Sequence, residues 1–195
     1  MVTVVFVCTA NRWRSPMAEH LFKNLLEEKD KALAQKIKVL SAGVVLDKRI
    51  DELKKQGITI PEPIWGYRPM PCVIFYMARR GIDAHDDKSK PLDWEMANMS
   101  NLIVGFTESH KDAVLTAFPY LKKDKIVTLT ELSYPFGPGI MEIIKTEPSG
   151  LFPPCDFCIR DCDHWWTTEQ VITEMEERLR EAMDKILLRL GVITS

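Results

Sequence analysis

The fold is decided by residues Val4–Pro16, which read Val-Val-Phe-Val-Cys-Thr-Ala-Asn-Arg-Trp-Arg-Ser-Pro. The apolar start of this stretch predicts a buried β-strand that ends at Cys8. The Ser15-Pro16 pair predicts a helix start, because serine is favoured at the N-cap and proline fits the first turn, where its missing N–H costs nothing. The stretch thus predicts a strand, a tight loop and a helix, with the Cys8 thiol and the Arg14 guanidinium at opposite ends of the loop.

A loop of this kind is suited to binding a tetrahedral oxyanion. Loop amides and a helix N-terminus carry partial positive charge. Arg14 adds a planar, permanently charged fork that can contact two oxygens at once. The same positive field favours the thiolate form of Cys8, which is the nucleophilic form, and Ser15 is placed to donate its hydroxyl to that thiolate.

Strands and helices alternate along the rest of the chain. The predicted strands cover 2–7, 37–40, 102–106 and 126–129, and the predicted helices cover about 15–29, 71–80, 108–118 and about 168–190. This order predicts an α/β fold with a doubly wound, four-stranded parallel sheet in three layers, of the flavodoxin-like type. With 195 residues, no repeats and no linker-like break, we expect 1–195 to be a single domain.

Composition narrows the class of protein. The hydrophobic fraction of 46% and charged fraction of 28% are typical of a globular protein. The net charge of −2 predicts no general affinity for nucleic acid or an anionic membrane. No apolar run reaches membrane-spanning length and residues 1–8 lack signal-peptide features, so we expect a cytoplasmic protein. The sequence leaves the oligomeric state open.

The loop resembles that of the low-molecular-weight protein tyrosine phosphatases, whose pattern is Cys-x-Gly-Asn-x-x-Arg-Ser-Pro. Cys8, Asn11, Arg14 and the Ser15-Pro16 pair stand at the matching places. The resemblance implies a flavodoxin-like phosphatase fold and a phosphocysteine intermediate on Cys8, with Arg14 and the loop amides binding the phosphoryl oxygens. The substrate-binding loop then consists of Thr9, Ala10, Asn11, Arg12, Trp13 and Ser15. No cofactor or metal is expected, since these groups already supply the positive charge.

Two features of the loop depart from that pattern. Ala10 replaces the glycine, which is expected to alter the loop slightly. Arg12 and Trp13 fill positions that are usually small or apolar, so we expect a bulkier and more basic pocket rim. Further resemblance lies in Ser41–Gly43, in Ala78–Asp83 and in Leu102–Pro119, and covers well over half the chain with the loop.

A phosphatase of this family also has an acid that protonates the leaving oxygen. The family places an aspartate just before the last helix, followed by proline and an aromatic residue. Asp163 has the matching spacing, although His164 stands where proline is expected; Asp161 is the second choice and Asp156 a weaker one. Asp163 would protonate the leaving group and then activate the water that cleaves the thiophosphate.

Two insertions, at about 45–69 and 133–160, distinguish the chain from the plain family pattern. Each follows a strand, so each is expected at the carboxyl end of the sheet, where long loops commonly act as lids or binding loops. Trp165 stands at the aromatic position after the acid and is expected to stack on a substrate ring. Trp65, in the first insertion, could face it or simply pack the loop down. His110 is expected to be a surface histidine at a helix start, with a catalytic role less favoured.

The second insertion leads into a cluster of thiols and one imidazole, formed by Cys155, Cys158, Cys162 and His164. Three interpretations remain open for this cluster: a zinc site, thiols that exchange with an oxidised Cys8, or free cysteines with no joint task. The five cysteines do not suggest a secreted disulfide framework. Cys72 lies on an apolar helix face and is expected to be a buried small hydrophobe.

The sequence therefore predicts a phosphomonoesterase, with a phosphorylated protein or a small phosphomonoester as its partner. Phosphotyrosine is the first expected substrate, and phosphoarginine or a small-molecule phosphate remains open. An arsenate reductase that uses Cys8 and further cysteines is one alternative. The thioredoxin-coupled arsenate reductases look like members of the same fold and use the same Cys-x5-Arg loop. A non-catalytic oxyanion-binding module is another, favoured by the unusual Ala10, Arg12 and Trp13.

Overall fold

The structure, a computed structural model, describes residues 1–55, 64–134 and 162–194, with the backbone alone at 47–49, 53 and 162–168. Four parallel strands form one sheet in the order β2-β1-β3-β4. The strands are β1 (Val2–Cys8), β2 (Ile37–Gly43), β3 (Leu102–Gly105) and β4 (Ile126–Thr128). The predicted α/β class and four-stranded parallel sheet are confirmed.

Helices connect these strands and cover the sheet. They are α1 (Arg14–Lys29), α2 (Lys31–Ala34), α3 (Asp47–Lys55), α4 (Pro71–Ala78), α5 (Trp94–Met99), α6 (Glu108–Ala117), α7 (Leu129–Leu132) and α8 (Cys162–Arg189). A 3-10 turn, Lys123–Lys125, leads into β4. Within the described part of the chain, no helix has both the length and the apolar character needed to cross a membrane.

Alternate strand residues face the two sides of the sheet and build two cores. Val4 and Phe6 belong to the larger one, which lies between the sheet and α1, α4 and α8. Val5 and Val7 belong to the smaller one, which includes Ala97 of α5 and further residues of α6. These two cores make the three layers that the sequence predicts.

Several element boundaries differ from the sequence prediction. β2 continues to Gly43 because Ser41–Gly43 keep pairing with the last residues of β1. α4 ends at Ala78, and Gly81, with a φ of 73°, closes the turn that follows it. α8 begins at Cys162, ahead of the apolar stripe that starts at Val171. Hydrophobic periodicity detects the stripe and not the polar turns before it.

The predicted N-cap of α1 is wrong. The helix begins at Arg14, Trp13 occupies the cap position without a capping side chain, and Ser15 lies inside the first turn. Ser15 is completely buried, and its hydroxyl is used by neighbouring groups of the β1–α1 loop rather than by a helix amide. Tertiary contacts thus take precedence over the local capping preference at this position.

Candidate active site

The loop between β1 and α1 lies at the carboxyl end of the sheet, and its residues are largely buried. Cys8 is the last residue of β1 and Arg14 the first residue of α1. Their side chains are 2% and 5% exposed, and Thr9 is 8% exposed. The structure therefore places both residues that the sequence singles out at the two ends of one buried loop, in the order strand, loop and helix.

The Cys8 thiol has a hydroxyl partner. Its Sγ lies 3.0 Å from the Ser15 Oγ, and both groups are buried. Ser15 Oγ also lies 3.2 Å from the carbonyl oxygen of Ala42 in β2. A serine hydroxyl has one proton, so it can donate to the sulfur when Cys8 is a thiolate and to the Ala42 carbonyl when Cys8 is a thiol.

Asn11 holds the loop in shape. Its backbone has a φ of 54°, in the left-handed region that asparagine tolerates better than most residues. Its Nδ2 donates to Ser15 Oγ at 3.0 Å and to Ser41 Oγ at 2.8 Å, and its Oδ1 accepts from the Lys90 amide at 3.0 Å. Both ends of the side-chain amide are thus committed to supporting the loop.

Ser41 and the segment that contains Lys90 support the loop through Asn11, a role that the sequence does not predict. Besides the contact to Asn11, the Lys90 carbonyl accepts from the Gly43 amide at 2.8 Å. The Ser89 carbonyl accepts from the Gly66 amide at 2.8 Å. These contacts are made by the backbone of an irregular segment, which leaves no side-chain signature in the sequence.

Arg12 and Trp13, which are expected to make the pocket rim bulkier and more basic, are buried. They are 3% and 5% exposed. The Arg12 Nε donates to the Arg68 carbonyl at 3.0 Å, and its guanidinium carbon lies 5.2 Å from the centre of the Tyr67 ring. The Arg12 carbonyl also accepts from the Met70 amide at 2.8 Å. The segment ahead of α4, which includes Tyr67 and Arg68, therefore covers Arg12 and is attached to the loop by these contacts.

Trp65 packs on the end of β2, next to the loop. A Cβ placed on Gly43 would lie 2.4 Å from a Trp65 ring atom and 2.7 Å from the Thr9 carbonyl oxygen. Only glycine allows the indole and the loop backbone to approach this closely. Trp65 thus forms a flat apolar surface beside the Cys8 loop.

His110 is buried, so the expectation of a surface histidine is wrong. It is 3% exposed and its Nε2 lies 3.4 Å from Thr9 Oγ1. Burial, together with the charge of Arg14, lowers the pKa of His110 to about 3. The sequence could not show this, because the burial arises where the start of α6 packs against the sheet.

The remaining candidate residues lie at or beyond the edge of the description. Asp163 and Trp165 lie in the first turn of α8, where the backbone alone is described, as do Cys162 and His164. Outside the described residues lie Asp156, Asp161, Cys155 and Cys158. Their predicted roles stay predictions.

Metal ligands and thiols can be assessed within the described ranges. No group of three or more His, Cys, Asp or Glu residues in the described part of the chain could hold a metal ion. Cys72, 2% exposed on α4, lies in the core, as predicted.

Comparison with known proteins gives one family. Residues 3–61 match the family model described as low molecular weight phosphotyrosine protein phosphatase. A curated relative, the protein-arginine-phosphatase of Bacillus subtilis (strain 168), is 29% identical over 128 residues, which are 66% of this chain and 70% of that protein.

Solved structures agree with this match. A low molecular weight protein tyrosine phosphatase from T. tengcongensis superposes with a TM-score of 0.65 at 25% identity, covering 95% of this chain and 99% of that one. A YwlE mutant from Bacillus subtilis has the same fold, with a TM-score of 0.66 at 24% identity, covering 95% and 99%. The relatives favour a phosphatase over an arsenate reductase. Together with the Cys8 loop, they show that the chain is similar to the low-molecular-weight protein tyrosine phosphatases, and they indicate a cysteine-dependent phosphatase.

Proposed function

We propose that the chain hydrolyses phosphomonoesters in two steps through a phosphocysteine on Cys8. The observation that carries this proposal is the buried Cys8 Sγ, 3.0 Å from the Ser15 hydroxyl, in the loop that ends at Arg14. The Cys8 thiolate attacks phosphorus, the bond from phosphorus to the leaving oxygen breaks, and that oxygen takes a proton. Water then attacks phosphorus, the sulfur–phosphorus bond breaks, and the thiolate returns.

Positive charge at the loop stabilises both steps. Arg14 and the loop amides would bind the phosphoryl oxygens. The same groups would stabilise the negative charge on these oxygens in the transition state. Asn11, Ser41 and the Lys90 amide support the loop from behind. Ser15 would stabilise Cys8 as the thiolate that attacks first and leaves second.

We assign the acid to Asp163. Its spacing from the apolar stripe of α8 and its place in the first turn of that helix support the assignment. Asp163 would protonate the leaving oxygen and then accept a proton from the attacking water. This exchange returns the enzyme to its starting protonation state without a cofactor.

We propose phosphotyrosine-type groups on proteins as the substrates and the cytoplasm as the location. The aromatic surface of Trp65 against Gly43 favours a flat leaving group. Trp165 would add a second ring. Because one relative is a protein-arginine-phosphatase, phosphoarginine is the alternative substrate.

The covalent mechanism is tested by hydrolysis of para-nitrophenyl phosphate with chelator and reductant present. We expect turnover by the wild type, inhibition by vanadate and no measurable turnover by Cys8→Ser. Cys72→Ala is the matched control, because Cys72 is a buried cysteine on α4 that has no role in the proposed reaction. Inorganic phosphate binding without any turnover of the wild type would instead support the non-catalytic alternative.

The substrate preference is tested with Trp65→Ala. If the indole contacts an aryl leaving group, kcat/KM for a phosphotyrosine peptide should fall about tenfold, the scale of one aromatic contact, whereas a phosphoarginine peptide should be affected little. Trp94→Ala, at a half-exposed tryptophan that starts α5, is the control. Equal losses for both peptides would contradict a stacking role for Trp65.

A further inference from the structure

The start of α6 packs directly beneath the Cys8 loop. His110 is the third residue of α6, and its ring reaches Thr9, the residue after the nucleophile. Gly105 at the end of β3 permits this approach, because a Cβ there would lie 3.0 Å from the His110 Cβ. Phe106 packs edge-on against the imidazole, with ring centres 6.3 Å apart. The ring is therefore enclosed and has one defined orientation.

The contacts of the imidazole determine its tautomer. Its Nδ1 lies 3.3 Å from the Phe106 amide nitrogen and 3.0 Å from the Thr107 Oγ1. A backbone N–H can only donate, so Nδ1 must carry a lone pair. The proton of the neutral ring is then on Nε2, and Nε2 donates to Thr9 Oγ1.

The same contacts keep the ring neutral. An imidazolium would place a second N–H against the Phe106 amide, and it would be buried in the field of Arg14. Burial is the larger of the two causes that lower the pKa of His110 to about 3. His110 is thus neutral at any pH near neutrality and is not poised to exchange protons with a substrate.

We propose that His110 is a positioning residue for the phosphatase reaction, acting as a neutral hydrogen-bond donor that fixes Thr9 and with it the first part of the phosphate-binding loop. Asn11 anchors the loop on the side of β2, and His110 anchors it on the side of β3. Ala10 lies between Thr9 and Asn11, so its position follows from theirs. The inference rests on the proposed binding of the phosphoryl group by this loop.

Two substitutions of His110 separate its two contacts. His110→Asn keeps an acceptor near Nδ1 for the Phe106 amide and removes the donor to Thr9. His110→Gln places an amide nitrogen near Nε2 and removes the acceptor. We expect His110→Asn to lower kcat/KM about fivefold, the scale of one hydrogen bond, and His110→Gln to recover most of that loss despite a lower melting temperature.

Thr9→Val provides the other half of a double-mutant cycle. Removal of the Thr9 hydroxyl should cause the same loss as His110→Asn, and the double variant should lose no more than either single variant. Thr9→Ser, which keeps the hydroxyl, should lose less kcat/KM than Thr9→Val. The pH profile of kcat/KM should keep the same ionisations in all variants, since His110 remains neutral.

Three results would overturn the inference. His110→Asn could keep wild-type kcat/KM while melting lower, which would make the residue purely structural. The losses from Thr9→Val and His110→Asn could multiply. An ionisation could vanish from the pH profile of His110→Asn, which would indicate acid–base chemistry.

Phosphate binding separates failure of this inference from failure of the proposed mechanism. Calorimetry measures the affinity of the loop for inorganic phosphate. It is done in the Cys8→Ser background, because binding does not require turnover. His110→Asn should weaken phosphate affinity there by the same factor of about five. Unchanged phosphate affinity would contradict the positioning role even if the wild type proved inactive as an enzyme.

Discussion

At the scale of single residues, the Ser15 hydroxyl links three parts of the site. It contacts the Cys8 sulfur, accepts from the Asn11 amide and lies within reach of the Ala42 carbonyl. A buried thiolate needs such a donor, because a charge removed from water is otherwise costly. Ser15 thus connects the nucleophile to the groups that hold the loop.

Ser15→Ala tests this link. Without the hydroxyl, the thiolate is less stabilised, so we expect alkylation of Cys8 by iodoacetate at pH 6 to slow about tenfold, the scale of a hydrogen bond to a charged group. Ser100→Ala is the matched control, because Ser100 is a buried serine that donates to the Ala97 carbonyl, apart from the loop. Equal alkylation rates in Ser15→Ala and the wild type would contradict the assigned role.

At the scale of elements, the loop depends on a segment far from it in sequence. Lys90 contacts Asn11 and Gly43, and Asp87, three residues earlier, is hydrogen-bonded to His20 of α1. The hydrogen bond from His20 is the largest cause lowering the pKa of Asp87, opposed by burial. Lys23 and Lys90 are the lysines whose charge also favours its carboxylate. This pair fastens the segment to α1, the helix that begins at Arg14.

The contact between Asp87 and His20 is tested by the pH dependence of the melting temperature of Asp87→Asn. A carboxyl group whose pKa is lower in the folded than in the unfolded protein stabilises the fold above its ordinary value of 3.8, and this stabilisation is lost as the pH falls through the lowered pKa. Asp87→Asn should therefore melt about 1–3 °C below the wild type at pH 6, with the difference shrinking below about pH 4.

The control for this experiment is Asp86→Asn, since the Asp86 side chain is 92% exposed and pairs with its neighbour His85. It should leave the melting temperature nearly unchanged at both pH values. A deficit of Asp87→Asn that persists or grows in acid would contradict the account.

At the scale of the whole molecule, the sheet and its helices could be predicted because their signals are local. The apolar run before Cys8 and the stripe that starts at Val171 each identify an element by its own residues. Cys8 and Arg14 could be predicted for the same reason, since one short loop holds both. Cys72 was correctly assigned to the core from its helix face.

The rest depends on contacts between distant parts of the chain. Ser15 looks like an N-cap, yet its hydroxyl is used by Cys8 and Asn11, and His110 looks exposed, yet Gly105 lets it pack under Thr9. Arg12 suggests a basic rim until Tyr67 and Arg68 cover it. These outcomes follow from how elements meet, which residue spacing alone does not specify.

In the proposed mechanism, Cys8 carries the phosphoryl group during turnover. The most direct measurement is rapid acid quenching of the enzyme mixed with an aryl phosphate, followed by mass spectrometry of the peptide that contains Cys8. We expect one phosphoryl group on the Cys8 sulfur, formed within the first turnover and absent from Cys8→Ser. Steady turnover with no phosphorylated Cys8, or with the phosphoryl group on another residue, would contradict the proposed mechanism.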